Sequence, residues 1–138
     1  MSKYKWRNQF KTIDSSSKFH QIVQAIFTQD KYFRQLNCYQ EVNVKDLITN
    51  YPYHNHHFDW YIEELNTILE LHGEQHYSMV NYGNVAYDIA VENHRKIKNR
   101  DRIKMYTALE AGYEYRAISY KDKKKISPEF LKELIAYG

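Results

Sequence analysis

The sequence predicts one α/β (α+β) domain, a mixed β-sheet flanked by helices. Three observations carry that expectation: apolar residues at helical spacing in three segments, period-two alternation in four short runs, and a length of 138 residues, the usual size of one domain. Hydrophobic residues at 43% and aromatics at 16% suffice for one core and argue against intrinsic disorder.

The elements follow in order. Residues 1–14 form a basic, aromatic N-terminal arm in which Lys3, Lys5, Arg7 and Lys11 alternate with Tyr4, Trp6 and Phe10. Such an arm is either a docked terminus or a nucleic-acid contact that pairs cations with stacking rings. The folded domain occupies residues 15–138. Ser15, Ser16 and Ser17 can cap a helix, and Phe19, Ile22, Val23, Ile26 and Phe33 then mark an amphipathic helix over residues 17–36. Tyr39 to Val44 alternates as a strand does, and Asn50-Tyr51-Pro52 punctuates a loop. Strand-like runs at 56–62 and 67–72 form a hairpin across Glu63-Glu64-Leu65-Asn66. Residues 73–86 read as a long loop. A long helix spans about Tyr87 to Ala111, with Gly112 as its stop, and Tyr113 to Tyr120 is strand-like. Lys121-Asp122-Lys123-Lys124-Lys125 reads as a solvated turn, and Ser127-Pro128 opens a last helix with Pro at its first position.

Charge and cysteine content narrow the class. Lys and Arg number 20 against 17 Asp and Glu, a net +3, and Cys38 alone excludes an internal disulfide. No apolar run approaches the roughly 20 residues of a membrane span, and the first ten residues lack a signal-peptide h-region. The expectation is a soluble protein of a reducing compartment, cytoplasmic and without a membrane partner. A P-loop, GxSxG and GxGxxG are all missing, so nucleotide and serine-hydrolase chemistry are unsupported.

The predicted hairpin carries the main chemical clue. Alternation places Phe58, Trp60 and Ile62 on one face of its first strand, and His57, Asp59 and Tyr61 on the other. In the second strand Ile68, Glu70 and His72 share a face. A tight turn with Glu63 facing Asn66 sets Tyr61 opposite Ile68, Asp59 opposite Glu70, and His57 opposite His72. A slip of one residue would separate the two carboxylates. Directly opposed carboxylates repel. Either solvent at a sheet edge screens them, or a hard divalent cation neutralises them.

Two further features surround that pair. His76 lies just past the second strand, and the long helix carries Asp101 and Lys104 one turn apart on one face. With that face inward, Asp101 can accept a hydrogen bond from one His76 nitrogen and leave the other to take a proton from water. The same helix holds Arg95, Lys96, Lys98, Arg100, Arg102 and Lys104, six cations in ten residues opposed only by Asp101. Such a run is either a solvated face or a wall for a polyanion. The rival reading is a transition-metal site built from His54, His56, His57, His72 and His76, although no HExxH occurs.

From Phe58 onward the motifs resemble the Vsr-like endonucleases, a phage and homing-type family within the PD-(D/E)XK nuclease superfamily. The residues that carry the resemblance are F58-D-W-Y-I-E-E-L-N66, I68-L-E-L-H-G-E-Q-H-Y77, D101-R-I-K104 and Y115-R-A-I-S119, covering roughly 56–120 in the family's order. The resemblance implies a restriction-endonuclease-like sheet and a DNA endonuclease dependent on Mg²⁺ or Mn²⁺, leaving 5′-phosphate products. It implies metal ligation by Asp59 and Glu70, water activation by His76 oriented by Asp101, scissile-phosphate contact by His72, and phosphate neutralisation by Lys104. Arg95, Lys96, Lys98, Arg100 and Arg102 would bind nucleic acid. Two departures stand out. S17-K-F-H20 has His20 where many relatives carry Glu, so that acidic role is missing or falls to Glu41. His72 occupies a position that is Lys in the broad fold and often Asp in close relatives. A junction resolvase, an RNA-directed nuclease and a non-catalytic nucleic-acid-binding protein of the same fold are the alternatives. The chain could work as a free-standing enzyme, as a homodimer or with a targeting partner.

Overall fold

The computed structural model describes residues 17–74 and 87–136. The first helix, α1 (Lys18–Gln29), begins where Ser17 Oγ accepts the His20 amide at 3.2 Å. Phe19, Val23 and Phe27, four residues apart, form its buried stripe. The helix stops at Gln29, short of the predicted residue 36. Asp30 is extended, and its Oδ2 accepts the amides of Tyr32 at 3.0 Å and Phe33 at 3.2 Å. An aspartate that bonds nearby backbone N–H groups offers the chain an alternative to further helix. A separate 3₁₀ turn over Phe33–Gln35 results, and it still delivers Phe33 to the core.

Strand β1 (Cys38–Asn43) runs into a one-turn helix α2 (Val44–Leu47), capped by Asn43 Oδ1 on the Lys45 amide at 2.9 Å. Strands β2 (His57–Ile62) and β3 (Thr67–His72) form the predicted hairpin. Its connection is a 3₁₀ turn over Glu63–Leu65, closed by left-handed Asn66, whose amide donates to the Glu63 carbonyl at 3.1 Å. Asn tolerates that conformation better than most residues. The turn fixes Tyr61 opposite Ile68 and Ile62 opposite Thr67, the register expected from sequence. Helix α3 (Tyr87–Glu110) precedes β4 (Glu114–Ser119), which lies parallel to β3 with His72 opposite Ser119. Gly112, at φ +91°, makes the turn between them. The segment predicted as a solvated lysine turn is wound into 3₁₀ helix over Tyr120–Lys125, with Ser119 Oγ accepting the Lys121 amide. Helix α4 (Pro128–Leu131) opens on its Ser127 cap and continues as a π turn through Lys132–Ala136.

The sheet is mixed, in the order β1-β2-β3-β4, with antiparallel pairs except the last. One face packs Trp60, Ile62, Leu69, Leu71 and Ile118 against α1 and the α4 segment. The other packs Tyr39, Val42, Tyr61 and Ile68 beneath Ala108 and Ile103 of α3. The α+β class is therefore as the sequence predicts, one domain with helices on both faces of its sheet.

One detail departs from strict alternation. Phe58 packs with the Tyr61 cluster, not with Trp60 and Ile62. The break lies where Glu41, at φ +55°, sits between the Gln40–Trp60 and Val42–Phe58 pairs. A left-handed residue inside a strand rotates the following side chains relative to the preceding ones. Among the described residues, no helix is long and apolar enough to cross a membrane.

Candidate active site

Backbone pairing between β2 and β3 covers only Trp60–Ile62 against Thr67–Leu69. Beyond it, the Leu71 amide donates to Asp59 Oδ2 at 2.7 Å. The Asp59 side chain thus holds the two strands where their ladder ends, and the opening lies at the position predicted for the carboxylate pair.

Glu70 lies at that opening, 2% exposed. Its Oε1 accepts from Lys104 Nζ at 2.9 Å, and the same ammonium donates to the His57 carbonyl at 2.8 Å. Lys104, itself buried, also stands 5.8 Å from the Phe58 ring centroid. A residue of α3 therefore ties β2 to β3. Burial pushes the Glu70 carboxyl well above its ordinary value, and Asp59 raises it further. The Lys104 charge and hydrogen bond oppose that rise, while a side-chain hydrogen bond with Asp59 adds to it. The two carboxylates do meet.

Glu41 stands at the rim of this group. Desolvation raises its carboxyl first and Asp59 next, against lowering by His20, His57 and Lys104. Asp59, His20, His57 and Lys104 therefore all lie within electrostatic reach of Glu41. In sequence, Glu41 stands out only as a substitute for the missing helix glutamate. Its left-handed backbone, which no local pattern announces, is a place where strain is stored beside the candidate site.

The remaining predicted residues distribute as follows. His72 is half-buried at the end of β3, two residues after Glu70 and across from Ser119. Asp101 is half-buried on α3, one turn before Lys104. His76 lies outside the described residues, as do the expected Asp101–His76 contact and the arm over 1–14. Arg95, Lys96, Lys98, Arg100 and Arg102 are all exposed. At roughly 100° per residue they divide into two stripes. Arg95, Lys98 and Arg102 lie on the side of α3 opposite the inward-facing Lys104, and Arg95 pairs with Glu92. Lys96 and Arg100 flank the sheet side, where Arg100 lowers the His56 pKa after desolvation has done so.

The donor chemistry suits one hard divalent cation. Two carboxylates in contact, one of them desolvated, gain from a positive ion, and Mg²⁺ commonly takes one or two carboxylates and completes its shell with water and phosphate oxygen. Asp59 and Glu70 are the residues that would hold it. Among the described residues, no three His, Cys, Asp or Glu side chains converge as a full ligand cage.

Comparison with protein-family models, curated proteins and solved structures found no match for this chain.

Proposed function

We propose that the protein is a metal-dependent DNA endonuclease of the Vsr-like type, a phage-type enzyme acting in the cytoplasm. The single observation that supports this reading best is the meeting of Asp59 and Glu70 where β2 and β3 part, with buried Lys104 bonded to Glu70. Mg²⁺ or Mn²⁺ bound there would polarise a phosphoryl oxygen and stabilise charge on the transferring phosphate.

Each residue has its own task in the proposal. Asp59 presents a carboxylate oxygen while its partner oxygen, on the Leu71 amide, fixes the orientation of the group. Lys104 counters the desolvation of Glu70 and so favours its ionised form. The resemblance assigns water activation to His76 and scissile-phosphate contact to His72, leaving 5′-phosphate and 3′-hydroxyl ends. Lys96 and Arg100, on the sheet-facing flank of α3, would take backbone phosphates.

A plasmid-cleavage assay in Mg²⁺, Mn²⁺ or EDTA tests the reading. The parent chain is expected to cut with either metal and not in EDTA. Asp59→Ala should abolish cutting and retain DNA binding, and His76→Ala should slow it. Undiminished cutting by Asp59→Ala would remove the site.

A second reading is favoured by one observation. The Glu70–Lys104 pair already neutralises the buried carboxylate without an ion, as a non-catalytic DNA-binding protein of this fold would require. Calorimetric titration with Mn²⁺ separates the two, because only the nuclease needs binding that Asp59→Ala eliminates.

A further inference from the structure

The loop between α2 and β2 holds three mutually contacting rings that no part of the cleavage chemistry uses. Tyr51 is buried, and its hydroxyl meets His56 Nδ1 at 2.5 Å. Tyr53 stacks on the other ring of that pair: its centroid is 4.8 Å from the His56 centroid, with 20° between the planes. It meets Tyr51 edge-on at 5.8 Å. Yet Tyr53 is 46% exposed, one of five large apolar residues so open to solvent among the described residues.

Hydrogen bonds anchor the loop backbone on both sides of Tyr53. Asn43 Nδ2 donates to the His54 carbonyl at 2.9 Å, Lys45 Nζ to the Tyr51 carbonyl at 2.7 Å, and the Val44 amide to the His56 carbonyl at 3.0 Å. Its position is equally specific. His56 directly precedes β2, whose first residue, His57, gives its carbonyl to Lys104. Arg100 and Lys104 both act electrostatically on His56. An exposed aromatic ring, stacked on His56 and edge-on to Tyr51, two rings that Arg100 reaches electrostatically, has the composition of a platform for an unpaired base. Stacking supplies the affinity, and neighbouring cations hold the strand that carries the base.

We propose that Tyr53, backed by His56 and Tyr51, is a stacking platform for a nucleobase of single-stranded or locally unpaired DNA entering the Asp59–Glu70 site. This rests on the nuclease reading and extends it, because it makes DNA with an exposed base the preferred ligand over uniform duplex. The occupant lies against the ring face turned from His56. The phenol hydroxyl has no part in it, so phenylalanine should serve as well as tyrosine.

The test uses the full chain in EDTA, so that binding is read without cutting. The probes are a short single-stranded oligonucleotide carrying 2-aminopurine and the same strand in a duplex. The parent should bind the single strand with a change in 2-aminopurine emission. Tyr53→Ala should weaken that binding about 5- to 150-fold and remove most of the change, the loss expected of one stacked base. Tyr53→Phe should stay within about twofold of the parent, and duplex affinity should move little in either variant. Unaltered single-strand binding and emission in Tyr53→Ala would overturn the platform. So would a Tyr53→Phe variant as weak as Tyr53→Ala, since the hydroxyl would then carry the contact. If the parent cuts plasmid while Tyr53 is silent, only the platform falls. If the parent binds neither form of DNA, the nuclease reading falls with it.

Discussion

Replacing Lys104 by methionine, which keeps the length of the side chain and deletes its charge, tests the centre of the structure. The side chains of Lys104 and Glu70 are 7% and 3% exposed, and they meet at 2.9 Å. Screening by water is therefore slight, and the exposed-pair range of under about 1 kcal/mol does not apply. Lys104→Met leaves a desolvated carboxylate without its cation and the His57 carbonyl without that donor. Breaking a buried pair from one side costs about 3–5 kcal/mol. With a urea slope of about 2 kcal/mol/M, the unfolding midpoint should fall by about 1.5–2.5 M.

The cost should depend on pH, with a sign that follows from Glu70. Burial, and then Asp59, raise its carboxyl well above 4.5 in the folded chain. Removing Lys104 deletes an influence that holds it down, so the folded variant binds this proton still more tightly than the unfolded chain does. Stability linked to that proton is fully present below the ordinary carboxylate value. It is lost as pH rises through the raised folded value. The deficit against the parent should therefore be smaller near about pH 5 than near about pH 8. Urea titrations at both pH values, read by tryptophan fluorescence, measure it. The double variant with Glu70→Gln should recover about 2 kcal/mol, because the stranded charge is gone. Equal deficits at the two pH values, or a coupling below about 0.5 kcal/mol, would refute the assigned burial and pairing.

Two other outcomes check the surroundings. On α3, Arg100→Ala should lower the slope of log affinity for duplex DNA against log salt by about 0.9, one released counterion, whereas Arg102→Ala, on the far side of the helix, should leave it nearly unchanged. A matched loss in both would show that the DNA does not follow the sheet-facing flank. Gly112→Ala should destabilise the fold by about 1–2 kcal/mol through backbone strain alone, since no atom lies within 4 Å of an added Cβ although φ is +91°. A urea midpoint equal to the parent's would contradict the left-handed turn.

The features legible in the sequence are local and periodic. Ser17, Gly112 and Ser127-Pro128 mark helix ends through their own side chains or backbone freedom. The Glu63–Asn66 turn sets the hairpin register, which points Asp59 toward Glu70 just beyond the paired residues. Other features depend on contacts between distant parts of the chain. The early stop of α1 turned on which backbone amides Asp30 could reach, a competition that apolar spacing does not record. The break in alternation at Phe58 came from the conformation of Glu41 on the neighbouring strand. Lys104 reads in sequence as a partner of Asp101 on one face of a basic helix, and the resemblance gives it phosphate neutralisation. It becomes the tie between two strands because the packing of Ala108 and Ile103 on the sheet turns that side of α3 inward. The same rotation sends Arg102 outward and brings Arg100 toward His56. Periodicity states which residues share a face; the direction each face looks, and which charge it meets there, depends on contacts between segments tens of residues apart.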